Sequence, residues 1–180
     1  NYNTAYGINA LDAITTGDNN TVVGSAAGGG LTTGHRNTLM GQGAGSLLTT
    51  ATHTVAIGNA AASGYDTETN NIAIGHVALG GSVNGGEYNI AIGNTSLDAL
   101  TSADYNTAVG YETLRDLNAG ADGNNVAVGN IAGRSMTTGI DNVIIGGQAG
   151  DALTDADYNV AIGKVALSSD TKGSKSVAIG

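Results

Sequence analysis

Apolar and polar residues recur along the chain in a five-residue block: Asn, a β-branched residue, a small residue, a second branched residue, then Gly. Asn71-Ile72-Ala73-Ile74-Gly75, Asn106-Thr107-Ala108-Val109-Gly110 and Asn159-Val160-Ala161-Ile162-Gly163 are typical copies. The second position is β-branched in all eleven copies, and the fourth is Val or Ile in all but two, Tyr6 and Met40. Branched side chains two residues apart lie on one face of an extended segment, so each block predicts a short strand. Recurring glycine and runs of branched residues disfavour a helix.

The block repeats with a nearly constant period. Its closing glycines are Gly7, Gly24, Gly41, Gly58, Gly75, Gly93, Gly110, Gly129, Gly146, Gly163 and Gly180, spaced by 17 residues except for 18 before Gly93 and 19 before Gly129. A unit this short cannot bury its own apolar face, so copies stack and share a continuous core. The expected fold is an all-β parallel β-solenoid of about eleven 17-residue coils, one repeat array over residues 1–180. At about 4.8 Å per coil it makes a rod roughly 50 Å long. The rest of each coil predicts a second short strand and two turns. It carries a small residue (Ala10, Ala27, Ala44, Ala78), then Leu or Gly (Leu11, Gly28, Gly45, Leu79), then a further apolar residue (Ile14, Leu31, Leu48, Leu100). Turn segments such as Thr32-Thr33-Gly34-His35 follow, and the extra residues of the longer coils, Gly85-Gly86 and Ala121-Asp122-Gly123, fall there. The Asn column (Asn3, Asn20, Asn37, Asn71, Asn89, Asn106, Asn125, Asn142, Asn159) predicts a ladder of side-chain amides, interrupted at Thr54 and Ser176. No cap closes either end, so the chain is expected to be an excerpt of a longer fibre.

The third position of the block faces the side opposite to the branched pair, and it is never polar. It is Ala in eight copies and Val22, Leu39 or Ile144 in the others. Both faces of the strand are therefore expected to be buried. One face fills the coil, and the other is covered either by the same chain or by a partner. A row of small residues suits close approach of another copy, which makes Ala73, Ala91, Ala108, Ala127, Ala161 and Ala178 the candidate oligomer interface.

Composition changes the picture in one respect. Phe, Trp, Cys and Pro are absent and Gly numbers 30, so a conventional core of large aromatics is excluded. Charged residues at 12% and apolar ones at 41% also exclude a solvated coil. A net charge of −9 argues against a nucleic-acid surface, since phosphate binding rests on Lys and Arg. No apolar stretch approaches the length of a membrane span.

Chemistry-bearing residues form no recognisable constellation. His35, His53 and His76 occupy different places in the coil, and the acidic residues sit mainly in turns, as Asp104, Asp155 and Asp157 do. No phosphate loop, nucleophile elbow or paired-carboxylate motif occurs, so no catalytic residue, metal ligand or cofactor is expected. Two solenoid alternatives match the pattern less well. Ile57-Gly58-Asn59-Ala60-Ala61-Ala62 resembles one hexapeptide unit of the left-handed β-helix acyltransferases, but the following segments do not continue it. Ice binding needs a regular Thr column, and the pairs at Thr15, Thr32, Thr49 and Thr137 are broken by Gly64, Asn84 and Asn118. The residue before the Asn column is Tyr in four copies; Tyr88 and Tyr105 are expected to stack, and with Tyr158 they are candidate surface contacts, or simply aromatic cover over the coil edge.

The blocks, above all Ser176-Val177-Ala178-Ile179-Gly180, resemble the YadA-like head repeats of trimeric autotransporter adhesins, and the resemblance covers the whole chain as repeats. Blocks continued by Tyr111 and Thr-Thr-Gly turns also resemble phage tail-fibre and bacterial surface-fibre segments. The resemblance implies a left-handed β-roll in a side-by-side homotrimer. It also implies an extracellular location on a cell surface or virion, and an adhesive or spacer role toward a host-cell or matrix ligand. The coil is longer than in adhesin heads, and no neck, stalk or anchor is present in the segment.

Overall fold

A computed structural model describes residues 2–81, 85–120 and 122–180. Each block forms a three-residue strand: β1 Thr4–Tyr6, β2 Thr21–Val23, β3 Thr38–Met40, β4 Val55–Ile57, β5 Ile72–Ile74, β6 Ile90–Ile92, β7 Thr107–Val109, β8 Val126–Val128, β9 Val143–Ile145, β10 Val160–Ile162 and β11 Val177–Ile179. They pair in chain order, all parallel, in one 11-stranded sheet. The register matches like with like: Ala56 faces Ala73 and Ile57 faces Ile74, for example. The chain is thus a stacked β-solenoid, and no helix occurs among the described residues.

The closing glycine is dictated twice over. At Gly24, φ is +135°, a region essentially restricted to glycine, and a β-carbon would lie 2.5 Å from the carbonyl oxygen of Gly41 in the next coil. Both constraints recur at Gly75 and Gly110, where the next glycine is 18 and 19 residues on.

The alanine row corrects the sequence-based expectation. Ala73, Ala91, Ala108, Ala127 and Ala161 are fully buried by their own chain, and Ala178 in the last coil is half-buried. Their side chains turn into the coil, where Leu79, Leu97, Leu114 and Leu153 fill the space. They cannot form an oligomer interface. Of the two coverings open to that row, the same chain supplies the cover. The outward face is instead the branched pair, which no residue of the chain covers fully.

The second short strand is also absent from the described residues, for an instructive reason. Opposite the sheet, backbone groups still pair from coil to coil: Val77 N–H donates down to the Asn59 carbonyl (3.0 Å) and Leu79 N–H donates up to that of Ser96 (3.0 Å). The φ angles of these residues are +55° and +50°, left-handed rather than extended. The same left-handed pair recurs as Thr95 and Leu97, Glu112 and Leu114, and Val165 and Leu167. A coil of 17 residues with one short strand must bend sharply elsewhere, and left-handed residues supply the bend while keeping the inter-coil bonds. Leu, Val and Thr carry a steric cost there that propensity rules would not predict.

The Asn ladder forms as expected. Asn37 N–H and Nδ2 both donate to Asn20 Oδ1 (3.0 and 3.1 Å), and Asn37 Nδ2 also reaches the Ala51 carbonyl (2.8 Å). The pattern repeats at Asn106, Asn125 and Asn142, all fully buried. Thus a buried amide binds two coils and satisfies its own polar atoms. Of the added loop residues, Gly85 and Asp122 are exposed whereas Gly86 and Gly123 are buried; Ala121 lies outside the described residues.

Candidate interaction surface

The outward side chains of the sheet form two parallel rows. One row is Thr or a branched aliphatic (Thr38, Val55, Ile72, Ile90, Thr107, Val126, Val143, Val160), and the other is almost wholly apolar (Met40, Ile57, Ile74, Ile92, Val109, Val128, Ile145, Ile162). In-register pairing keeps each row straight, because equivalent residues stand directly over one another. Along the middle of the rod these residues remain half-exposed; Ile92, Val128 and Ile145 expose 37 to 38% of their surface. The result is an apolar strip roughly 50 Å by 10 Å. That is comparable with the largest apolar patch of an ordinary monomer, and such patches are commonly functional.

Two columns, exposed or half-exposed, flank the strip. Before the Asn ladder stand Arg36, His53, Asn70, Tyr88, Tyr105, Asn124, Asp141 and Tyr158; after the repeat glycine stand Gln42, Asn59, His76, Asn94, Tyr111 and Asn130. The structure brings Tyr88 and Tyr105 together as expected, stacked with ring centroids 5.3 Å apart and planes 13° apart. Tyr158 lies three coils from Tyr105, separated from it by Asn124 and Asp141, and joins neither. Each of these tyrosines has φ between +57° and +60°, where Asn is the residue best suited, so the column places aromatics at a backbone cost. The histidines do not converge: His53 Nε2 lies 3.3 Å from Arg36 Nη1, one column away from His35.

The sequence reading missed a polar cluster beside Tyr111. The Tyr111 hydroxyl donates to Glu112 Oε1 (2.7 Å), and Glu112 Oε2 meets Arg115 (3.3 Å) and Arg134 of the next coil (3.6 Å). Arg115 also forks onto Asp116 (2.7 and 2.9 Å). The hydrogen bond to Glu112 raises the Tyr111 phenol above its ordinary range, and partial burial raises the nearby Asp98 carboxyl. The cluster was illegible because its members fall at different repeat positions and meet only when coils stack. These are surface ion pairs of small energetic weight.

The Thr column is continuous through the first coils, where Thr15 and Thr32 hydroxyls donate to the Thr32 and Thr49 carbonyls (3.0 and 3.1 Å). Asp66, not Gly64, stands in the next place of that column, since the Thr49 hydroxyl bonds to it. Asn118 interrupts the column as expected, taking the Thr101 hydroxyl bond, and Asn84 lies outside the described residues. Among the described residues there is no pocket and no group of His, Cys, Asp or Glu placed to hold a metal. Comparison with protein-family models, with curated proteins and with solved structures gives no match for the chain.

Proposed function

We propose that the chain is a structural module of an extracellular trimeric fibre, of the surface-adhesin or phage tail-fibre kind, that extends and presents a binding tip. The observation that carries this reading is the straight, in-register apolar strip that the chain's own coils leave half-exposed. A rod with one such face along its length is completed by copies of itself, packed side by side through Val, Ile and Thr. At about 500 Å² the strip supplies more than half of the roughly 800 Å² that each partner gives to a standard interface. The outer corners, with Tyr88, Tyr105 and Tyr158, remain free for contact with a host-cell or matrix surface. Handedness and the number of copies follow the family resemblance.

Light scattering tests the assembly. The expected mass is three times the 17.6 kDa of one chain, with a rod-like frictional ratio. A monomer at micromolar concentration would overturn the reading, as would binding of acetyl-CoA by the isolated protein.

A further inference from the structure

Two local differences coincide at one level of the rod. The ladder of buried amides breaks at Thr54. Its backbone N–H donates to Asn37 Oδ1 (2.9 Å) and so continues the ladder from below, but its own hydroxyl is buried with no hydrogen-bond partner. The Asn71 N–H therefore lacks the acceptor that Asn89, Asn106, Asn125, Asn142 and Asn159 all have in the coil before them.

A second set of backbone groups is arranged differently at the same level. At three Thr pairs, two successive N–H groups donate to one carbonyl in the next coil: Thr15 and Thr16 to Thr32, Thr32 and Thr33 to Thr49, and Thr137 and Thr138 to Thr154. At the equivalent residues, Asp66 and Thr67, both N–H groups turn instead to Glu68 Oε2 within their own coil (2.8 and 3.0 Å). Glu68 stands where other coils hold Gly or Ala, is only 4% exposed, and crosses to the next coil through a bond from Gly85 N–H to Oε1 (2.9 Å). The ladder acceptor is thus missing from this interface, and among the described residues side-chain bonds join its two coils nearby: Gly85 N–H to Glu68 Oε1, and the Thr69 hydroxyl to Glu87 Oε1 (3.2 Å).

We propose that this interface, between the coil that starts at Thr54 and the coil that starts at Asn71, is a built-in seam at which the rod opens before it opens elsewhere. In a solenoid, each interface contributes its own nearest-neighbour stability, so a weak one is not averaged away. Sheet bonds such as Gly75 N–H to the Ile57 carbonyl (2.8 Å) persist, so the seam is closed in the resting rod. Its place is set by Thr54, and the Glu68 carboxylate bonds to the next coil at the nearby corner. A fibre with such a seam yields at a defined level under load or heat, and the coils on either side stay intact. The proposal does not depend on how many copies assemble.

Residue-resolved hydrogen exchange on the whole chain tests it. Ala62, Gly75 and Val77 donate across the seam, and Gly133, Gly146 and Gln148 are their equivalents across the interface closed by Asn125 and Asn142. The first set is expected to exchange roughly tenfold faster than the second. Thr54→Asn should restore the ladder and bring the two sets together. Asn125→Thr, a second variant that needs no extra room beside Glu68, should make the second set as fast as the first. Equal exchange in the unaltered chain overturns the proposal, as does a fast seam that persists in well-folded Thr54→Asn. If Thr54→Asn does not fold, unchanged exchange in Asn125→Thr overturns it.

Discussion

Leu39 occupies the space that a side chain at Gly45 would need: a β-carbon there would lie 2.9 Å from Leu39 Cδ2 and 3.2 Å from Cδ1. The same exchange of volume recurs along the rod. Ile144 stands against Gly133 and Gly150, where an added β-carbon would come within 3.1 and 3.3 Å of Ile144 Cδ1. Where the strand carries Ala instead, as at Ala73, Ala91 and Ala108, the opposite wall carries Leu79, Leu97 and Leu114. Either wall can fill the cross-section, and where both are small, as at Ala127 and Gly133, Leu114 and Ile144 of the neighbouring coils reach in.

Exchange of the two walls should therefore be tolerated better than either change alone. Ala91→Leu is expected to cost about 1–3 kcal/mol by overpacking, and Leu97→Gly at least about 2 kcal/mol by cavity formation. The double variant should lose less than the sum by at least about 1 kcal/mol, measured by a urea-unfolding double-mutant cycle. Strict additivity would mean that the pair does not share one space.

Charge on the two faces of one strand should have opposite consequences. Ala108→Glu places an unpaired carboxylate in the coil interior and is expected to prevent folding, seen as lost β-sheet circular dichroism. Val109→Glu points outward, so the coil should keep its thermal signature while light scattering reports a smaller mass. A Val109→Glu chain that assembles like the parent would show that the strip is not the interface.

Replacing Tyr105 by Asn should leave stability nearly unchanged. Loss of the stack with Tyr88 costs about 1 kcal/mol, and relief of a tyrosine at φ +60° returns a similar amount. Tyr105→Ala has less of that relief and should melt lower than Tyr105→Asn. If Tyr105→Asn abolishes binding to a cell surface without shifting the melt, the tyrosines act in contact rather than in packing.

Tyr65 takes the place that Leu31, Leu48 and Leu153 hold in other coils, and its buried hydroxyl has no partner. Burial, with Glu68 and Asp104 nearby, holds its phenol well above the ordinary value of 10.0. The folded chain then binds this proton more tightly than the unfolded chain. Its contribution is complete below about pH 10 and is lost as the pH rises above that value. Tyr65→Leu should flatten the fall in melting temperature between pH 9 and 11, scanned in steps of about half a unit. An unchanged alkaline slope would place the sensitive group elsewhere.

Much of the fold was legible because a repeat multiplies weak local signals. One Asn-Ile-Ala-Ile-Gly block could be many things, but eleven in phase leave stacking as the way to bury them. The Asn column and the Tyr88–Tyr105 stack were readable for the same reason: equal position in the repeat means adjacency in space. The Glu112, Arg115 and Arg134 cluster was not readable, since its members occupy unequal positions.

Period, strand position, parallel register and the ladder residues were determined by the sequence by itself, because each follows from equivalence between coils. Which face of the strand looks inward was decided only by the tertiary structure. Alternation says that Ala108 and Val109 point to opposite sides, and it is silent on which side is the lumen. The decision lies in the curvature of the coil: left-handed residues such as Leu97 and Leu114 bring their side chains across onto the alanine row. With that space filled, the larger branched residues are left facing out, and the strip they form is the surface on which the proposed assembly rests.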